Sequence, residues 1–370
     1  MKKLWLILMV AWAFALTAQE AEQAAEQAAK TETKDKPYNV IMFGDLHYDN
    51  MDCHDEKKKE ERKAEFTRNM SHWNAEKGLA PRLIKAAASK VNDETAFAFQ
   101  VGDVTQGDGK TVEAAKQMFT EVIDRLKTAF GKTPVYIVKG NHDHRSPGGR
   151  KAFAEAVVPY LKTILPEGAE IKNSNYAVEH GPDLFLFIDL QLPDLEFVKK
   201  TLAAHPKIRH LFVINHLPFI PNPGGRPAWT LFHNRQQPVV TEKQLEFRKL
   251  VAERNGIILA GHIHANSLSD YKKDGEGRIT QITISSMGSS KKRTEFPKPN
   301  TSYSSAVLKA LELADPKVAK YMEEFRPYVV KHERFGDSGY GIIKINGEHV
   351  TFELYRADTT DKPGVVWELR

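Results

Sequence analysis

The stretch Lys139-Gly140-Asn141-His142-Asp143-His144-Arg145 sets an amide, two imidazoles and a carboxylate almost side by side. Each of these groups can hold a metal or move a proton. One such stretch is compatible with a polar turn. Four others repeat its character: Gly44-Asp45-Leu46-His47, Gly102-Asp103, Asn215-His216 and Gly261-His262-Ile263-His264. There is no thiolate cluster, and carboxylate, imidazole and amide donors suit Mn, Fe, Zn or Co. In an extended segment the alternation of His262 and His264 places both rings on one side.

Something must bring these groups together. Each block follows a short apolar run of the kind that makes a buried strand: 39–43, 96–101, 133–138, 210–214 and 256–260. Five strands that stop at Asp, His or Asn can present those side chains along one rim, the carboxyl edge where ligands of open α/β sheets collect. Helices are expected over 79–91, 112–130, 151–161, 194–204 and 241–253, each with apolar residues to bury. Strand alternating with helix predicts parallel pairing. Hairpins are expected at 175–190 across His180-Gly181-Pro182-Asp183, at 267–285, and at 339–355 across Asn346-Gly347. A helix is expected near 305–313. Asp189, at a strand end, reads as structural or as a support behind the rim residues.

The ordered set Asp-x-His, Gly-Asp, Gly-Asn-His-Asp, a single His and Gly-His-x-His resembles the calcineurin-like metallophosphoesterases over about residues 38–290. The resemblance implies an α/β fold, a four-layer α/β/β/α sandwich with two mixed β-sheets and a metal site at strand C-terminal ends. It implies two divalent transition metal ions. One would be held by Asp45, His47, Asp103 and His264, the other by Asp103, Asn141, His216 and His262, with Asp103 bridging. A hydroxide between the metals would attack phosphorus in line. His142 would contact the phosphate or the leaving oxygen, oriented by Asp143, and Asn141 and Arg145 would also meet substrate. An additional-ligand or scaffold role for His142 stays open. Gln106 stands where many relatives have Asp or Asn. The first block also departs from the purple acid phosphatases, which have Asp-x-Gly there and a ligating Tyr after the second block.

The loop after His216 is rich in Pro and Gly and carries Phe219, Arg226, Trp229, Phe232, His233 and Arg235. A loop this long without regular structure is usually functional or disordered. It reads as a substrate-facing lid, with Phe219 and Trp229 offering flat surfaces and Arg226 a charge for a remote anion. Aromatic surface leans the expectation toward phosphodiesters. The alternatives are a phosphomonoesterase on a small organic phosphate and a non-catalytic secreted binding protein.

The remainder of the chain constrains partners and location. Over 370 residues the net charge is only +5, with both signs mixed, so nucleic acid is not an expected partner. Residues 1–18 read as a signal peptide: Lys2 and Lys3, then an apolar run from Leu4 to Leu16, then small residues. That run is shorter than the roughly 20 residues a spanning helix needs, and no later run spans. Export to a periplasm or medium is therefore expected, with residues 19–36 as a polar tether and 37–370 as one domain. Cys53 is the single cysteine, so no internal disulfide can form. Asp52-Cys53-His54-Asp55 reads as a solvated loop ahead of the charged run 56–63 rather than as a metal cluster.

Overall fold

Apolar runs that stop at glycine or at a polar residue set the frame. The computed structural model describes residues 36–145, 148–222, 229–233, 240–288, 309, 312–357 and 360–370. In chain order the elements are β1 (Tyr38–Phe43), α1 (Glu56–Glu61), α2 (Lys63–His72), α3 (Leu79–Ala88), β2 (Thr95–Gln100) and α4 (Val112–Phe130). Next come β3 (Val135–Ile137), α5 (Gly149–Ile164), β4 (Tyr176–His180), β5 (Asp183–Ile188), α6 (Leu195–Ala204) and β6 (Leu211–Asn215). The chain continues through α7 (Glu242–Ala252), β7 (Ile257–Ala260), β8 (Asn266–Lys273), β9 (Gly277–Thr283) and α8 (Pro316–Glu323). It closes with β10 (Val329–Phe335), β11 (Gly339–Asn346), β12 (His349–Arg356) and β13 (Val365–Glu368).

Two mixed sheets result, ordered β13-β12-β11-β1-β2-β3 and β10-β8-β9-β7-β6-β5-β4. β1, β2 and β3 run parallel in the first, and β5, β6, β7 and β9 in the second. The period-2 alternation of a strand explains how the second sheet is covered on both faces. In β5, Phe185 and Phe187 join the core shared with the first sheet, while Leu184, Leu186 and Ile188 join the outer core. β6 divides likewise, Phe212 and Ile214 inward, Leu211 and Val213 outward. Aromatic rings lock the sheets together edge to face, Phe97 against Phe185 at 4.9 Å and Phe99 against Phe187 at 6.2 Å. Helices cover the outside: Val198, Leu202, Phe247 and Val251 of α6 and α7 pack in the outer core. The apolar stripes of α3 and α4 join the first-sheet core.

All five expected motif strands form, and so do the three hairpins. Asp189 is structural, as expected, accepting from Lys139 Nζ at 2.8 Å and Ser174 Oγ at 2.7 Å. Other expectations need correction. The 3-10 turn Met51–Cys53 buries Cys53, and His54 is buried too, stacked on Phe66 and bonded to Asp49 at 2.6 Å. The Asp52–Asp55 stretch is therefore partly core, not a solvated loop. The charged run continues as α1 and α2, which the sequence pattern did not suggest. α8, β10 and β13 also went unanticipated. The expected helix near 305–313 falls almost wholly outside the described residues, as do the expected leader and most of the tether.

Candidate metal centre

Asp45, Asp103, Asn141 and His262 each follow a strand-end glycine where side-chain bulk is forbidden. A Cβ on Gly140 would lie 2.0 Å from the backbone nitrogen of Asp103, and one on Gly261 would lie 2.4 Å from Asp45 Oδ1. The glycines before these motifs let neighbouring strand ends close in until their side chains meet. The backbone then turns into the left-handed region at His47 (φ 45), Asp103 (φ 54), His262 (φ 68) and His264 (φ 49). Residues with a Cβ seldom adopt that region, and such strain gathers at functional sites.

The side chains form two adjoining groups. In the first, His47 Nε2 and His264 Nε2 are 3.2 Å apart, and His264 Nε2 is 2.9 Å from Asp45 Oδ2. In the second, His216 Nε2 lies 3.1 Å from Asn141 Oδ1, 3.2 Å from His262 Nδ1 and 3.3 Å from Asp103 Oδ2. Asp103 Oδ2 is also 3.9 Å from His47 Nε2, so one carboxylate stands between the groups. Donors on a common cation at about 2.1 Å stand roughly 3.0–3.4 Å from one another, which is the spacing seen here. Convergence of ring nitrogens on ring nitrogens is otherwise unfavourable in a buried site, so the donor set fits divalent metals.

Backbone groups fix the orientation. His216 Nδ1–H donates to the Val101 carbonyl at 2.9 Å, which turns Nε2 toward the centre. The His262 backbone N–H donates to Asp45 Oδ1 at 3.1 Å, tying the two sheets together at the site. Burial opposes charge on His216, but Asp103 and Asp45 outweigh it and push its pKa up to about 9. Burial opposes ionisation of Asp103, yet His216 and His142 hold its carboxyl well below the usual range.

His142 sits beside both groups without the expected partner. Its Nδ1–H donates to the Gln106 carbonyl at 2.9 Å, and Arg145 Nη2 reaches its Nε2 at 2.6 Å. Asp143 does not orient it. That carboxylate is buried and accepts from the backbone N–H groups of Gly140 at 2.8 Å and Thr105 at 3.0 Å. Asp143 thus braces the loop after β3 against the loop after β2. Burial and Asp103 push its pKa up to about 6. With a guanidinium donating to Nε2, a cation would be repelled there, which argues against His142 as a further ligand. Burial lowers its pKa, and Arg145 adds to the effect although Asp103 opposes it.

The described residues of the loop after His216, 217–222 and 229–233, divide between core and site. Phe219 is 1% exposed and packs against Phe247 and Phe325, so it is core and offers substrate nothing. Leu217, Ile220 and Leu231 are buried as well. Trp229 does reach the site, stacked on His262 at 4.6 Å. Arg226 and Arg235 lie outside the described residues.

A cleft of about 380 Å³ opens over His47, Asp103, His142, His262 and His264. Its other walls include Glu65, Arg68, Asn69 and His72 of α2, with Gln106 and Arg145. Sequence reasoning missed the four α2 residues. Their spacing, i, i+3, i+4 and i+7, was the available signal, hidden in a run with almost no apolar residues.

The family model for calcineurin-like phosphoesterases matches residues 38–266. The chain belongs to that family. Among curated proteins it is similar to the probable inactive purple acid phosphatase 9 of Arabidopsis thaliana, 21% identical over 204 residues, 47% of this chain and 30% of the relative. The chain therefore matches less than a third of that relative's length. Among solved structures it is similar to PhoD, with a TM-score of 0.53 and 11% identity, covering 90% of this chain and 68% of that one. At that identity the likeness shows the fold, a mixed α/β arrangement of two sheets with helices around them.

Proposed function

We propose that this calcineurin-like phosphoesterase hydrolyses a phosphate ester at two divalent metal ions. Asp45, His47, Asp103 and His264 would hold one ion, and Asp103, Asn141, His216 and His262 the other. Of the three donor clusters among the described residues, Asp45-His47-His264, His47-Asp103-His142 and Asp103-His216-His262, the first and last are linked by Asp103 Oδ2, 3.9 Å from His47 and 3.3 Å from His216, and that link carries this reading. Bound divalent ions supply Lewis-acid charge to a phosphoryl group and a nucleophile at neutral pH.

The chain's own groups do the rest. Asp103 Oδ1 accepts the His142 backbone N–H at 2.6 Å and so sets the imidazole at the cleft wall. His142 Nδ1–H is committed to a carbonyl, so a proton on Nε2 makes the ring cationic. Arg145 discourages that proton until an anionic phosphoryl group enters and offsets its charge. The two side chains then face the leaving oxygen together, one to stabilise charge and one to deliver a proton.

The cleft favours a monoester over a diester. Phe219 is withdrawn into the core, Trp229 is stacked on His262, and the Arg145 guanidinium stands beside His142 in the cleft wall. A cation beside the two ions is what a dianionic monoester needs. The test is turnover of p-nitrophenyl phosphate and bis(p-nitrophenyl) phosphate by protein loaded with Mn, Fe, Zn or Co, with a chelated control. Absence of turnover of both by metal-loaded protein would make this a non-catalytic member of the fold, and a strong diester preference would reverse the substrate assignment. Residues 1–18 are proposed to direct export. N-terminal sequencing that finds them retained in the mature protein would overturn that.

A further inference from the structure

Four residues of α2, Glu65, Arg68, Asn69 and His72, line the cleft from one side of the helix. Two of them are engaged within the protein. Glu65 Oε1 accepts from Gln106 Nε2 at 2.8 Å and lies 3.8 Å from Arg145. Asn69 is buried and donates to Gln106 Oε1 at 2.8 Å. These contacts hold α2 at a fixed height over the loop after β2.

The other two are differently placed. Arg68 is exposed at the cleft and has no carboxylate within ion-pair reach among the described residues. His72 Nε2 is buried and has no hydrogen-bond partner among the described residues. Burial lowers the pKa of His72 and the charge of Arg68 lowers it further, so the two groups are within electrostatic reach of each other. Arg145 is compensated by comparison, with Glu65 at 3.8 Å and Asp108 at 3.7 Å. The cleft thus holds one cation already balanced near His142 and one uncompensated cation next to an unsatisfied imidazole nitrogen.

We infer that Arg68 and His72 form a subsite for a second anionic group on the alcohol part of the substrate. The inference rests on the phosphoesterase reading for the first anionic group, the phosphoryl itself. A guanidinium can meet a carboxylate or phosphate with two parallel hydrogen bonds, and the His72 ring lines the cleft one helical turn away. The cleft, at about 380 Å³, is at the small end of ligand sites, so the alcohol part is short. The substrate class is therefore a small phosphate ester with a further carboxylate or phosphate.

Calorimetry on the metal-loaded full chain tests this without turnover. The probes are phosphonoalkanoates of two to four carbons and the matching alkylphosphonates, with alkyl bisphosphonates to separate carboxylate from phosphate. Wild type should bind at least one doubly anionic probe about 10- to 100-fold more tightly than its singly anionic match, the range for losing a charged contact. Arg68→Gln should bring that ratio near one and Arg68→Lys should restore part of it, with the thermal midpoint of both variants near wild type. Equal affinities within every pair, no phosphonate binding at all, or a ratio unchanged in Arg68→Gln would overturn the inference. If the probes bind as expected but neither phenyl phosphate nor 3-carboxyphenyl phosphate is hydrolysed, the subsite stands and the catalytic reading falls.

Discussion

Asp103 carries more constraints than any other side chain at the site. It takes a left-handed backbone, bonds the His142 N–H through Oδ1, and stands between both donor groups through Oδ2. An isosteric amide keeps the first two properties, because Asn tolerates left-handed φ and its oxygen accepts. Asp103→Asn is therefore expected to fold and to lose metal from both positions. Elemental analysis finding two ions per chain in this variant would break the bridging assignment. His142→Ala tests the other role. It should keep both metals and lose a factor of about 10² to 10⁴ in turnover, the span for a positioned general acid. The loss should shrink for leaving groups that need no proton, such as p-nitrophenolate. Metal loss in that variant would make His142 a ligand instead.

At the scale of elements, legibility followed burial. β5 and the motif strands could be read because a two-sided buried strand is an apolar run with a sharp end, and a polar residue or a glycine followed by a polar block marks that end. α4 could be read from its stripe, and its sequence limits match the structure. α2 could not, since among its buried residues only Phe66 is apolar, and a helix whose polar face serves a cleft resembles a solvated one. β10 lies at a sheet edge, and half-exposed edge strands give weak patterns. Phe219 was misjudged because Pro and Gly around it suggest an exposed loop, whereas Phe219, Ile220 and Leu231 pack into the outer core. Long-range packing decided that, and no local pattern reports it. The α2 case leads to a prediction. Phe66 is its main apolar anchor, fully buried and stacked on His54 at 3.9 Å. Phe66→Ala should cost about 3–5 kcal/mol, the usual range for a buried Phe. Because the loss is local, metal content should persist while α2 becomes the earliest site of limited proteolysis. Cleavage beginning elsewhere, with 56–72 still protected, would show that the polar contacts to Gln106 hold α2 without Phe66.

Over the whole molecule the candidate metal centre is where the two sheets are joined chemically. Asp45, His47, Asp103 and Asn141 come from the first sheet's strand ends, and His216, His262 and His264 from the second's. Ions bound there stabilise only the folded state, by about 4 kcal/mol at a thousandfold excess over Kd. A few degrees per kcal/mol for a chain this long puts the fall in thermal midpoint on chelation at about 5–15 °C. The size of that fall should depend on pH, and its sign can be derived. The folded-state pKa of His216 is raised to about 9 in the metal-free protein, chiefly by Asp103 and Asp45 against the cost of burial. Its ion pair therefore stabilises the metal-free fold fully below about 6.5, the ordinary histidine value, and is lost as pH rises through about 9. A proton on the ligand nitrogen also competes with the metal over the same window. Both effects act in one direction, so the gap between loaded and chelated midpoints should widen from pH 6.5 to 9. Calorimetric scans of the two forms across that range give the answer directly. A gap that stays constant or narrows would mean that His216 is neither charged in the metal-free fold nor a ligand in the loaded one.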